Sequence, residues 1–169
     1  MHGLRCLALI SGLTPMLASS VYAQSVSKTG TFSDWSLYTD ERKPHQFCFV
    51  TAEPKSSEPQ DTARELPHLY ISAWPRDGVK SEVSVFLGFP AKKNTEVMAN
   101  VAPANIRMTA NDDRAYVNDA TQELKLVEAM KKGSKMIIAA TTQTGTAVTD
   151  NYSLSGLGQA MLELQTTCF

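Results

Sequence analysis

Between residues 81 and 89 the chain alternates: Val83, Val85, Leu87 and Phe89 lie two positions apart with Ser84, Phe86 and Gly88 between them. A period of two puts one set of side chains on one face of a strand. Pro90 has no amide hydrogen to continue a ladder and stops the run. Upstream, residues 68–74 are rich in aromatic and β-branched side chains and end at the turn Pro75-Arg76-Asp77-Gly78. Two such runs joined by a glycine-containing turn predict a β-hairpin over 68–89. A chain that commits its middle to a hairpin commits the rest to pairing with it.

The remaining segments fit that commitment. Strands are expected over 31–39, around Phe32, Trp35, Leu37 and Tyr38, and over 45–52, around Cys48. Shorter ones are expected at 96–101, 105–109 and 114–117, the last two separated by Ala110-Asn111-Asp112-Asp113, and longer ones at 135–142 and 148–154. Only one internal stretch reads as a strong helix, 120–132. Asp119 or Thr121 caps its start, Glu128 and Lys132 pair outward, Lys131 and Lys132 suit its negative end, and Gly133 is placed to follow it. Ala120, Leu124 and Val127 fall on one helical face, with Met130 beside them. Leu157, Ala160, Met161 and Leu164 follow the i, i+3, i+4, i+7 pattern of a short C-terminal helix. The βα alternation of a parallel sheet is missing. The expected fold is therefore mainly β: an antiparallel sandwich or barrel-like sheet with one internal helix and a short C-terminal helix.

Residues 1–23 read differently. Arg5 supplies a positive start, an apolar run follows from Leu7 to Leu17, and Val21-Tyr22-Ala23 resembles a cleavage site. The run is too short to span about 30 Å of hydrocarbon, so the segment reads as a secretory signal peptide that is removed. Residues 24–30 then form a polar tail expected to be mobile, and 31–169 a single β-rich domain. The mature chain has no second apolar segment of spanning length. The leader predicts an exported protein.

Removal of the leader takes Cys6 with it and leaves Cys48 and Cys168 as an even pair in an oxidising compartment. A bond between them would close a loop of about 120 residues, for which chain entropy supplies roughly 5 kcal/mol. Free or intermolecular thiols and a redox pair are the alternatives. The redox reading has no Cys-x-x-Cys spacing behind it.

Charge excludes one class of partner. The chain has 16 basic against 17 acidic residues, a net charge of −1, and the leader removes a further positive charge. No basic stripe exists, so nucleic acid is not expected as a partner. Lys80, Lys92, Lys93 and Arg107 are at most a small basic patch.

His45 and His68 are the two histidines of the mature chain, and neither has a histidine at metal-ligand spacing. No Gly-x-Ser-x-Gly elbow is present; Ser153-Leu154-Ser155-Gly156 lacks the leading glycine. Asn111-Asp112-Asp113 lacks the spacing of a calcium loop and reads as a turn. Asp119 and Glu123 read as capping residues before they read as a carboxylate pair. Catalytic, cofactor and metal sites are therefore expected to be none. Two features remain open. Trp35, Tyr70, Trp74, Phe86 and Tyr116 would make a sugar-binding platform if they faced solvent together, although strand aromatics are more often core or cross-strand packing. Residues 53–67, with Pro54, Pro59 and Pro67, form the longest loop, expected to be mobile and a candidate binding loop.

Several pieces of the chain resemble a known family. Phe32-Ser33-Asp34-Trp35 is followed by Cys48, then by Gly78-Val79-Lys80-Ser81-Glu82-Val83-Ser84-Val85 and Gly88-Phe89-Pro90-Ala91-Lys92-Lys93. Next come Ala129-Met130-Lys131-Lys132-Gly133, Gly145-Thr146, Thr149-Asp150-Asn151-Tyr152-Ser153-Leu154-Ser155-Gly156 and the terminal Cys168. In this order they resemble the invasion-associated locus B family of bacterial exported proteins. Phe89 stands where the family pattern has Tyr, and Tyr116 where it has Trp. The resemblance implies an exported, mostly β protein with a Cys48–Cys168 bridge. It implies no catalytic residues, since the family has no established enzymatic activity and its name records an association with host-cell entry. The expected function is a non-enzymatic periplasmic or surface module that binds a protein or an envelope component. The alternative is an envelope hydrolase, or a hydrolase inhibitor, using His45 or His68 and the 53–67 region. No residue pattern names the partner or sets an oligomeric state.

Overall fold

The computed structural model describes residues 26–42 and 44–169, so the expected leader and the first two residues of the expected tail lie outside it. The central hairpin is present as β5 (His68–Trp74) and β6 (Val79–Phe86). Gly78 closes its turn at φ +70°, a left-handed conformation that glycine adopts without steric cost.

Three strands lie to one side of this hairpin. They are β1 (Val26–Phe32), β2 (Trp35–Asp40) and β3 (Cys48–Ala52), with β3 paired to β5. Three expectations change here. The 24–30 tail is a strand from Val26 onward. Its side chains are mostly exposed and carry no apolar pattern; backbone pairing to β2 holds it. The single strand expected over 31–39 is two strands, turned at Ser33-Asp34 with Ser33 at φ +54°. The strand expected over 45–52 begins only at Cys48, because His45 and Gln46 fold back onto Asp40.

On the other side of the hairpin, β6 pairs with β9 (Arg114–Tyr116), and β9 with the far end of β8 (Ala104–Asn111). The near end of β8 pairs instead with β7 (Val97–Val101). This change of partner along one strand turns the sheet onto its second half. There β7 continues to β10 (Lys135–Thr141) and β11 (Ala147–Ser153). The last strand, β4 (Ser56–Glu58), comes from the middle of the expected 53–67 loop and pairs with β11. The described residues thus form one antiparallel sheet of eleven strands in the order β1-β2-β3-β5-β6-β9-β8-β7-β10-β11-β4. Its two ends return toward each other. The Asp34 amide donates to Ser155 O at 3.3 Å, and the buried Trp35 indole donates to Ser153 O at 3.1 Å.

Helix α1 (Ala120–Lys132) has the expected bounds, and the Asp119 carboxylate accepts from the Gln122 amide at 2.8 Å. Its buried face is Leu126, Val127 and Met130; Leu124 points outward, 63% exposed. The helix is rotated from the expected stripe so that Glu123 reaches β6, where its carboxylate accepts the Val83 amide at 2.7 Å. That bond serves an amide just beyond the point where β9 stops pairing with β6. Gly133 ends the helix in an extended conformation, at φ −82°. A Cβ there would lie 2.6 Å from Val101 Cγ1, so close packing demands the glycine.

Helix α2 (Leu157–Cys168) buries Leu157, Ala160, Met161 and Leu164 as expected, against β1, β2, β3 and β5. Its last residue bonds to β3: Cys48 and Cys168 form a disulfide with a Cα separation of 6.3 Å. The helix begins at Gly156, which sits at φ +86° with Phe32 O only 2.0 Å from where a Cβ would be. No described helix is long and apolar enough to cross a membrane.

Candidate functional site

The two faces of the β2-β3-β5-β6-β9 half differ sharply. Leu37, Val50, Ile71, Val83, Val85 and Ala115 are turned inward, each at most 1% exposed. The alternate positions carry Tyr38, Phe49, Tyr70, Phe86, Arg114 and Tyr116, all half-buried on the opposite face. Register puts them side by side: Tyr38 opposite Phe49, Phe86 opposite Arg114, and Tyr70 and Tyr116 on either side of Ser84. Phe47 and Trp74 extend the row.

The rings are in mutual contact. Tyr38 and Phe49 stack with centroids 5.1 Å apart and planes 8° from parallel. Phe47 continues to Phe49 at 6.4 Å and to Trp74 at 5.6 Å. Tyr70 meets Phe49 edge-on at 5.7 Å, and His68 lies 5.8 Å from Tyr70. The Arg114 guanidinium sits over Phe86 at 5.3 Å and over Tyr70 at 5.7 Å. Such contacts hold a cation by the ring quadrupole. Burial within this packing pushes the Tyr70 phenol up, against the opposing pull of Arg114.

Of the five aromatics considered as a platform, Trp35 is in the core, wholly buried. Tyr70, Trp74, Phe86 and Tyr116 do share the outer face, joined by Tyr38, Phe47 and Phe49. Strand parity could have found Tyr38 and Phe49, each next in sequence to a buried residue, Leu37 or Val50. The ring faces are turned largely onto neighbouring rings, so what the sheet offers outward is ring edges, phenol hydroxyls and a guanidinium. Aromatic rings with an arginine among them are what protein interfaces concentrate at their centres.

The histidines part company. His45 is buried, and its Nδ1 lies 2.7 Å from Asp40 O and 3.2 Å from Asp40 Oδ1. Burial pushes the Asp40 carboxyl up, but the Gln46 amide, Arg42 and His45 together hold it below its ordinary value. Both members of this pair are almost fully enclosed, 8% and 1% exposed. His68 instead lines a cleft of about 300 Å³ beside the aromatic row, with Ser36, Tyr38, Thr51, Asp34 and Lys55. Its Nδ1 has no hydrogen-bond partner among the described residues.

The 53–67 region, expected as a loop, supplies β4 and is tied to the rest of the fold. Arg64 is clamped on Asp150, and Glu65 N donates to Gly88 O at 3.0 Å. The basic residues do not gather either. Arg107 pairs with Glu96 at 2.9 Å, Lys80 lies against α2 through the Gln165 amide, and Lys92 and Lys93 flank the 110–112 turn. Asp112 and Asp113 accept backbone bonds from Ala91 and Leu87 through their carbonyls, as turn residues do. No group of three potential metal ligands occurs among the described residues.

The family model of the invasion associated locus B (IalB) protein matches residues 35–165. The chain belongs to the IalB family. The crystal structure of invasion associated protein B from Bartonella henselae is similar in fold, with a TM-score of 0.60. The two chains are 20% identical over 83% of this chain and 97% of that one. No curated protein matches. The aromatic face and the cleft are features of this IalB family chain's own residues.

Proposed function

We propose that this IalB family protein is a non-enzymatic, exported binding module that docks a protein or envelope component on the outer aromatic face of β2-β3-β5-β6-β9. One observation carries the reading: six rings and the Arg114 guanidinium are in continuous contact on the outer sheet face, with Tyr116 on the neighbouring strand. A sheet does not need them there. Its core is complete on the other face, and outward strand positions are ordinarily polar. The leader read in residues 1–23 and the single disulfide support an extracytoplasmic site of action, periplasmic or at the surface.

The test is co-sedimentation of the protein with isolated bacterial envelope fractions. Wild-type protein should bind saturably. The double variant Tyr70→Ser/Trp74→Ser should lose that binding, while Leu162→Ser on α2 should keep it. Equal sedimentation of all three would contradict the assignment of the face.

A further inference from the structure

Of the five arginines among the described residues, Arg42, Arg76 and Arg107 are exposed, and Arg64 and Arg114 are not. The fold treats these last two differently. Arg64 lies over the Phe89 ring and is paired with Asp150. Arg114 lies over two rings, Phe86 and Tyr70, yet no carboxylate among the described residues pairs with it. Residues 1–25 and 43 hold no aspartate or glutamate, so the chain has no other acidic side chain to supply.

The guanidinium can be reached. Arg114 is half-buried, and its nitrogens are not among the enclosed polar atoms that lack a partner. It stands directly opposite Phe86 on β6, with Tyr116 next along the same face of β9. Two rings fix the plane of the fork, so little freedom remains to be lost when a carboxylate arrives. The same rings keep water away from its flanks, which strengthens a charge-assisted bond made there. The neighbouring rings turn their edges outward, and a ring edge carries the positive part of the quadrupole. Fork and edges therefore favour the same kind of atom, an anionic oxygen.

Nearby charges limit how many such oxygens can dock. Asp112 and Asp113 immediately precede Arg114, and Glu82 shares the outer face of β6 with Ser84 and Phe86. They repel a polyanion, whether a phosphate-rich membrane surface or a run of acidic residues. One acidic side chain set among apolar groups escapes that repulsion. We propose that the partner docking on this face is a protein segment that places a single aspartate or glutamate carboxylate on the Arg114 fork, with its apolar neighbours against the ring edges. This inference rests on the docking role proposed for the face and adds the chemistry of the partner.

Co-sedimentation with isolated envelope fractions tests it in three arms. In the first, Arg114→Met should weaken saturable binding about tenfold or more, and Arg114→Lys, which keeps the charge without the fork, should restore only part of it. In the second, envelope carboxylates are amidated with carbodiimide and ethanolamine. Wild-type binding should fall to the level of Arg114→Met, whose own residual binding should not change. In the third, carbodiimide is added to the complex of Arg114→Lys, and a crosslinked peptide should join position 114 to an aspartate or glutamate of an envelope protein. Wild-type binding that survives amidation, equal loss in wild type and Arg114→Met, or Arg114-dependent binding to protein-free phosphatidylglycerol vesicles would each overturn the proposal. Loss of binding in Tyr70→Ser/Trp74→Ser but not in Arg114→Met would overturn it while leaving the docking face standing. Loss in neither would overturn both.

Discussion

Arg64 holds Asp150 with both guanidinium nitrogens, and the two side chains are 5% and 2% exposed. Ser57 bridges them, accepting from Arg64 at 2.8 Å and donating to Asp150 at 2.7 Å; Leu87 O takes a further Arg64 bond at 3.0 Å, and the Phe89 ring stacks at 5.6 Å. One side chain thus ties the 53–67 segment to β11 and to the end of the central hairpin. Breaking a buried pair from one side leaves an uncompensated charge, at a cost of about 3–5 kcal/mol. Arg64→Met should lose that much in urea unfolding and become open to protease cleavage within residues 53–67. Arg64→Met/Asp150→Leu should recover most of the loss. Protease resistance unchanged in the single variant would show that the segment is held by other contacts.

The same network explains which parts of the fold were legible in the sequence. The hairpin, α1, α2 and the strand positions of the second half follow from periodicity, because each buries an apolar set. β1 and β4 carry no such set. β1 is an exposed strand held by its backbone, and β4 is a three-residue strand held by β11, so composition alone makes both look like tail and loop. Arg64 is invisible for another reason: a charged residue in a proline-rich stretch reads as solvated until Asp150, far along the chain, is placed beside it. The outer aromatic row was half legible. Tyr70, Trp74, Phe86 and Tyr116 stand out as strand aromatics, but which face they occupy depends on parity against the core, and Trp35 falls on the other side.

The disulfide joins the last turn of α2 to β3 across 120 residues of sequence. Loop entropy predicts a loss of up to roughly 5 kcal/mol in Cys48→Ala/Cys168→Ala. Thiol titration of unreduced, unfolded protein should find neither cysteine free, and reduction should lower the melting temperature as far as the double variant does.

Tyr152 is 1% exposed, and its hydroxyl has no hydrogen-bond partner among the described residues. Burial, reinforced by the neighbouring Asp150 carboxylate, drives its phenol far above the ordinary range. Tyr152→Phe removes an unsatisfied group and keeps the ring, so stability should hold or rise, by up to about 1–3 kcal/mol. A loss of more than 1 kcal/mol in denaturant unfolding would reveal a bond to that hydroxyl.

Acid should act through Asp40 and Glu123 in opposite directions. Asp40 is held below its ordinary value of 3.8, so it binds its proton less readily folded than unfolded; its contribution is present above 3.8 and fades as pH falls through the lower folded value. Glu123 is pushed up, chiefly by burial, from 4.5. Its ionised form is the penalised one, so it favours the folded state as pH falls toward 4.5. Asp40→Asn should flatten the stability loss below pH 4, whereas Glu123→Gln should remove the gain that acidification toward pH 4.5 brings. Unfolding curves across that range separate the two.

The docking role of the outer sheet face is tested most directly by placing a photo-crosslinking residue at Tyr70 in one variant and at Leu162 in another, each exported by living bacteria. Tyr70 lies at the centre of the aromatic row, and Leu162 is an exposed apolar side chain on α2, 68% exposed. The predicted result is a discrete envelope adduct from the Tyr70 position that disappears when Trp74→Ser is added, with none from Leu162. An adduct from Leu162 alone, or from neither position, would contradict it.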